Sequence, residues 1–97
     1  MFTTDVEADL PMLLAADFDA AFPCLVRTYT DLVYSVAVRV VRDPTEAEEV
    51  AQDTFVRAYR ALEGYDSERR TQMRFKPWLA QIALNLARNR RRFVMRW

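Results

Sequence analysis

The stretch FDAAFPCLVRTYTDLVYSVAVRVVRDPTE, Phe18–Glu46, decides the fold. Phe18, Ala21, Phe22, Leu25, Val26, Tyr29, Leu32, Val33, Val36, Ala37, Val40 and Val41 recur at steps of three and four residues. That spacing brings apolar side chains to one face of an α-helix. It predicts a helix over 18–42, with Pro23 as the place where it could bend or break. Its β-branched residues lower intrinsic helix propensity, so packing must hold it. A second start signal follows directly. Asp43 can cap, Pro44 suits the first helical position, and Glu46 completes a capping-box arrangement. The second helix therefore runs over 44–62, with Ala47, Val50, Ala51, Phe55, Ala58, Tyr59 and Leu62 facing inward.

Outward from this stretch, composition narrows the class. A chain of 97 residues suits one domain with one modest core. A single Gly and four Pro argue against a turn-rich sandwich or barrel. Cys24 is alone, so no intrachain disulfide can form, and on a hydrophobic face it reads as a core residue. No apolar run approaches the roughly 20 residues needed to span a bilayer, and the N-terminus lacks a basic-then-apolar signal pattern. The chain reads as soluble and cytoplasmic, without a membrane partner. Catalysis is poorly supplied: there is no His, no metal-ligand cluster, no glycine-rich phosphate loop, and no base spaced to activate Cys24. An enzyme, a metal, a cofactor and a small-molecule substrate are not expected.

The net charge of zero conceals an asymmetry. Residues 1–63 hold 12 Asp/Glu against 5 Lys/Arg, a net of −7, whereas residues 64–97 hold 2 against 9, a net of +7. One face for a basic partner and another for a polyanion follow from such a division. Residues 1–16 mix acids with the apolar run Leu10–Leu14, interrupted by Pro11, and read either as a tail or as a short extra helix. Residues 63–76, EGYDSERRTQMRFK, lack clean periodicity and read as a long loop with room for a helical turn; loops of that length are often functional. Pro77 then opens a last helix over 77–92.

In that helix Leu79, Ile82, Ala83, Leu86 and Phe93 form the expected buried stripe. Gln81, Asn85, Arg88 and Arg92 fall opposite, with Asn89 beside them and Trp78 one turn earlier. Arginine neutralises phosphate, amides hydrogen-bond base edges, and Trp stacks on an unpaired base. The same residues would equally make a solvated basic face with a half-buried Trp. On the second helix, Glu46, Glu48 and Glu49 suit the positive helix N-terminus, whereas Gln52 and Asp53 lie too far along for that account.

Three segments in order, YTDLVYSVAVRVVRD, AEEVAQDTFVRAYRAL and FKPWLAQIALNLARNRRR, resemble region 2 of bacterial sigma factors, and among these the extracytoplasmic-function (ECF) group of the sigma-70 family. The resemblance covers residues 18–92. It implies a compact all-α bundle of three main helices and a role in transcription initiation. By position it implies that the middle helix docks on the clamp helices of the RNA polymerase β′ subunit, through Gln52 and Asp53 with Glu48, Glu49, Val56 and Arg57 nearby. It implies that the loop over 64–76, with Arg69, Arg70, Arg74 and Lys76, captures an unstacked base of the promoter −10 element. Trp78, Gln81, Asn85, Arg88, Asn89 and Arg92 would then hold the non-template strand and help melt the duplex. An anti-sigma factor covering the same two surfaces is compatible with this. Two departures stand out: Pro77 occupies a place where many members carry Thr or Ser, and the helix-turn-helix domain that reads the −35 element is missing. The expected organisation is a tail or helix over 1–16, the region 2-like domain over 17–93 and the start of a linker over 94–97, within a longer protein. Two other readings remain at this stage: a helical protein-interaction module, and a duplex-binding domain with the last helix in the major groove.

Overall fold

The computed structural model describes the backbone of residues 6–95 and the side-chain surroundings of residues 6–91. These residues form five helices and no strand: α1 Val6–Ala16, α2 Phe18–Val41, α3 Pro44–Glu63, α4 Ser67–Thr71 and α5 Phe75–Met95. The long helices α2, α3 and α5 pack on one another, α1 lies on α2, and α4 is held by α1. This is the expected all-α bundle, with the short N-terminal helix present.

Local chemistry sets the boundaries. Asp17 is the one residue between α1 and α2, and its carboxylate accepts a hydrogen bond from the Ala20 N–H at 3.2 Å. α2 continues through Pro23, whose missing N–H removes a single ladder bond near the helix start. The helix closes at Arg42, whose backbone is left-handed at φ 57° and whose N–H returns to the Val38 carbonyl at 2.9 Å. Asp43 then caps α3, accepting from Thr45 N–H at 2.8 Å and Glu46 N–H at 3.3 Å, with Pro44 in the first turn. Only this half of the expected capping box is made. The Glu46 carboxylate, which the sequence reading turned back toward Asp43, pairs instead with Arg90 of α5.

Two apolar clusters hold the bundle. The larger joins Leu10 and Leu14 of α1, Leu25, Tyr29 and Val33 of α2, Phe55 and Leu62 of α3, and Phe75 and Leu79 of α5. The smaller is built from Ala37, Ala47, Val50 and Ala87, whose short side chains let α2, α3 and α5 approach closely at the other end. Fully burying a Leu side chain contributes about 1.5–3 kcal/mol, so Leu10 and Leu14 make α1 part of the folded body. Thr54, absent from the expected core, is completely buried; its hydroxyl donates to the Val50 carbonyl at 2.8 Å, so the turn below satisfies it.

Two expectations need correction, and the helical turn allowed for within 63–76 is present. α5 begins at Phe75, and Pro77 is its third residue, a first-turn position whose N–H has no intrahelical partner anyway. That earlier start seats Phe75 in the core and centres the buried stripe on Phe75, Leu79, Ala83 and Ala87, while Ile82 and Leu86 are only half-buried. The segment 63–76 contains α4, capped by Asp66, whose carboxylate accepts the Arg69 N–H at 2.8 Å. Tyr59 is half-buried and reaches outward: its ring meets Phe18 and Phe22 at 5.0 and 5.1 Å, and its hydroxyl donates to Asp19 at 3.0 Å. The expected core position of Phe93 lies outside the described side chains.

Candidate functional site

α3 and α5 carry the candidate residues, and their packing leaves an open groove between them. Arg57, Arg60 and Ala61 of α3, Tyr65 of the following turn, and Trp78, Ile82, Asn85, Leu86 and Asn89 of α5 line it; its volume is about 610 Å³. Trp78 is half-buried, edge-on to Phe75 with ring centroids 6.3 Å apart, so one part of the indole is anchored in the core and the rest borders the groove. One turn on, the Gln81 amide donates to the Asn85 carbonyl oxygen at 3.0 Å. That bond sets the Asn85 amide orientation and keeps its NH₂ as a donor. Aromatic plate, amide edges and guanidinium groups thus border one concavity.

The groove gathers Trp78, Asn85 and Asn89 but not every residue expected beside them. Arg74 and Lys76 border a second depression, of about 370 Å³, formed with Glu7 and Pro11 of α1 and Tyr29 of α2. Arg69 is exposed, with its guanidinium 3.7 Å from the centre of the Tyr65 ring. Arg70 has a different task. Its Nε donates to the Leu62 carbonyl at 2.8 Å, its Nη2 to the Glu63 carbonyl at 3.3 Å, and its guanidinium lies over Phe18 at 4.5 Å. It caps the C-terminus of α3, where orphan carbonyls favour a cation. Gln81, Arg88 and Asn89 are exposed, and the side chain of Arg92 lies outside the described residues.

On α3, Glu48, Glu49, Gln52, Asp53, Val56 and Arg57 are all exposed, along a strip that winds round the outer side of the helix. The strip borders two shallow depressions. In one, Glu48 and Gln52 meet Val26, Thr30, Asp31 and Tyr34 of α2. In the other, nearly all apolar, Val56 meets Phe22, Phe55, Tyr59 and Arg60. Val56, at 46% exposure, is a large apolar side chain with no fold-level reason to face water. Glu49 is the exception on this strip, because it pairs with Arg90.

Sequence reasoning missed Arg60 and Tyr65 as groove residues and Arg90 as a link between α3 and α5. Arg60 was legible in part, one turn beyond Arg57 on the same face. Tyr65 and Arg90 depend on how α3 and α5 pack, which no single-helix period reveals. No group of three or more His, Cys, Asp and Glu able to hold a metal occurs among the described residues, and no described helix is long and apolar enough to cross a membrane.

Comparison with known proteins identifies a family. Residues 25–96 match the family model described as Sigma-70 region 2. The chain is 36% identical over 89 residues to the RNA polymerase sigma-H factor of Pseudomonas aeruginosa, covering 92% of this chain and 44% of that protein. It is 38% identical over 70 residues to the ECF RNA polymerase sigma factor SigW of Bacillus subtilis, covering 72% of this chain and 35% of the relative. It is also 33% identical over 81 residues to the ECF RNA polymerase sigma factor SigK of Mycobacterium sp. strain KMS, covering 84% and 40% respectively. The chain therefore spans less than half the length of these relatives. No solved structure gives a significant match.

Proposed function

This chain belongs to the Sigma-70 region 2 family, and on that premise we propose that it is the part of an ECF-type sigma factor that binds core RNA polymerase and captures the non-template strand of the −10 element. The exposed strip of α3 docks on the clamp helices of the β′ subunit. The groove between α3 and α5 receives unpaired promoter bases, and from the segment 64–76 Tyr65 lines it.

The observation that carries the reading is the groove itself. Duplex DNA buries its base faces, so a Trp and a Tyr beside amides and arginines in one concavity suit bases that have left the stack. Arg57 and Arg60 offer phosphate neutralisation, which holds any sequence, whereas the Asn85 NH₂ and Asn89 can discriminate base edges. Among the described residues Gln52 and Asp53 have no partner that would require an acid and an amide there, and Val56 adds apolar area beside them. Binding, not catalysis, is the function.

The test uses core polymerase with a fluorescent single-stranded −10 oligonucleotide and its matching duplex. The wild-type chain should be retained by polymerase and, once bound, prefer the single strand. Trp78→Ala should weaken single-strand binding by about 1–3 kcal/mol, the range for loss of one base–aromatic stack. Asn85→Ala should erase discrimination among −10 sequences with little loss of overall affinity. Equal binding of single strand and duplex, unchanged by both variants, would reduce α5 to a solvated basic face.

A further inference from the structure

We infer that Arg90 is a nucleic-acid phosphate ligand which Glu46 and Glu49 hold in reserve until a partner occupies the acidic strip of α3. The inference rests on the assignment of α3 to polymerase and α5 to DNA. Its starting point is an interaction that neither role explains. The Arg90 guanidinium contacts both carboxylates at once, Nε toward Glu46 and Nη2 toward Glu49. One cation facing two anions leaves a local charge of −1, at the end of a helix otherwise dense in arginine.

Position makes that charge consequential. On α5 the groove is bordered by Trp78, Ile82, Asn85, Leu86 and Asn89, and Arg90 is one helical turn past Leu86. It therefore continues the groove-lining series toward the N-terminal end of α3. A strand whose phosphates follow Arg57 and Arg60 toward the N-terminal end of α3 would meet Arg90 next, and with it two carboxylates that repel phosphate. The clamp is also easily exchanged. The Glu46 oxygen that faces Arg90 is buried, whereas the Glu49 side chain is 49% exposed, and an ion pair this accessible to water is weak, so the Glu49 arm is the one that exchanges. Glu49 precedes Gln52 and Asp53 by three and four residues on the same side of α3, so a cationic partner engaging those residues also reaches Glu49. Removing Glu49 from the clamp leaves Arg90 balanced by Glu46 alone and open to a phosphate.

The test is a charge cycle on the 97-residue chain, titrated with a random-sequence single-stranded oligonucleotide over a series of salt concentrations. Glu49→Gln should tighten binding roughly three- to tenfold at low salt and steepen the salt dependence by about 0.7, the slope for one added phosphate contact on a single strand. Asp31→Asn removes the same charge from α2 and should give much less. Arg90→Ala leaves both carboxylates uncompensated and should lower the wild-type affinity, and it should cut the gain from Glu49→Gln to no more than that of Asp31→Asn. On core polymerase the advantage of Glu49→Gln over wild type should shrink toward unity. Equal gains from Glu49→Gln and Asp31→Asn, a gain beyond that of Asp31→Asn that survives Arg90→Ala, or an Arg90-dependent gain undiminished on polymerase would each overturn the inference. Failure of the underlying reading appears elsewhere, as wild-type chain that polymerase does not retain or that shows no single-strand preference.

Discussion

Arg42 and Gly64 occupy each other's expected places. Arg42 ends α2 in the left-handed region at φ 57°, where a Cβ costs roughly 1–2 kcal/mol and glycine is the usual occupant. Gly64, the only glycine, ends α3 at φ −80°, which any residue adopts, and a Cβ there would lie 3.5 Å from the Ala61 carbonyl, an ordinary contact. Arg42→Gly should therefore stabilise the fold by up to ~1 kcal/mol, as strain relief outweighs the added freedom of the unfolded chain. Gly64→Ala should be neutral or stabilising by about 0.4–1 kcal/mol. Urea unfolding checks both, and a destabilised Gly64→Ala would show that the turn needs a freedom its φ does not reveal. Tyr59 supplies a pH-dependent term at the same scale. Its hydroxyl donates to the Asp19 carboxylate, and that hydrogen bond, then the Asp19 charge, raises the phenol above its usual value near 10. The folded form thus holds its proton more tightly than the unfolded one. The resulting stability is fully present below the unfolded pKa and is lost as pH rises through the folded value. Tyr59→Phe should flatten the loss of stability as pH rises above about 10 relative to wild type; parallel pH profiles for the two proteins would remove Asp19 as the cause.

Among the elements, α2 and α3 were legible because each carries both a period and an end signal. Asp43–Glu46 marks the α3 start in sequence, and Asp43 accepts two N–H bonds there. Asp43→Ala should destabilise the chain by about 0.5–2 kcal/mol, the range for losing such a cap, without altering the groove. Thermal unfolding reads the loss, and an unchanged midpoint would mean that Pro44 and packing suffice. What the sequence did not reveal depends on contacts between elements. α4 is too short for a period, and it exists because Asp66 caps it and α1 supports it, with the Ser67 hydroxyl directed to the Ala15 carbonyl. The α5 start was misplaced because Pro77 is tolerated anywhere in the first turn, and the burial of Phe75 settles which position it takes. Arg70 looked like one more cation of a basic loop, yet carbonyls at the end of α3 direct it inward. Arg70→Ala should lower stability and weaken binding to all nucleic acids about equally, whereas Arg69→Ala should leave stability unchanged. A selective loss of −10 discrimination in Arg70→Ala would place that guanidinium at the strand instead of at the cap.

At the scale of the whole molecule, the −7 and +7 halves of the chain do not become two separate ends. α3 and α5 pack side by side, so an acidic strip and an arginine-rich groove lie on different faces of one helix pair, and Arg57 belongs to both. The division of charge was readable by counting. Which cations serve it was not, since Arg70 and Arg90 are engaged with the protein and Arg57 and Arg60 join from the acidic half. If the two faces are separate binding surfaces on a rigid body, their losses must be independent. Asp53→Arg should weaken retention by core polymerase by about 1–3 kcal/mol, as a charge-assisted contact becomes repulsive, with no change in thermal midpoint because Asp53 is exposed. Asn85→Ala should leave that retention intact and lose only strand discrimination. In the double variant the two deficits should add within about 0.5 kcal/mol, the tolerance for sites that share no partner. Arg57→Ala is the contrasting case: it borders the groove and lies on the strip, so it should impair both activities, and its deficit should not add to either single variant's. Additivity throughout, Arg57→Ala included, would mean that the strip and the groove are not joined at that residue; coupling between Asp53→Arg and Asn85→Ala would mean that α3 and α5 shift together when either partner binds.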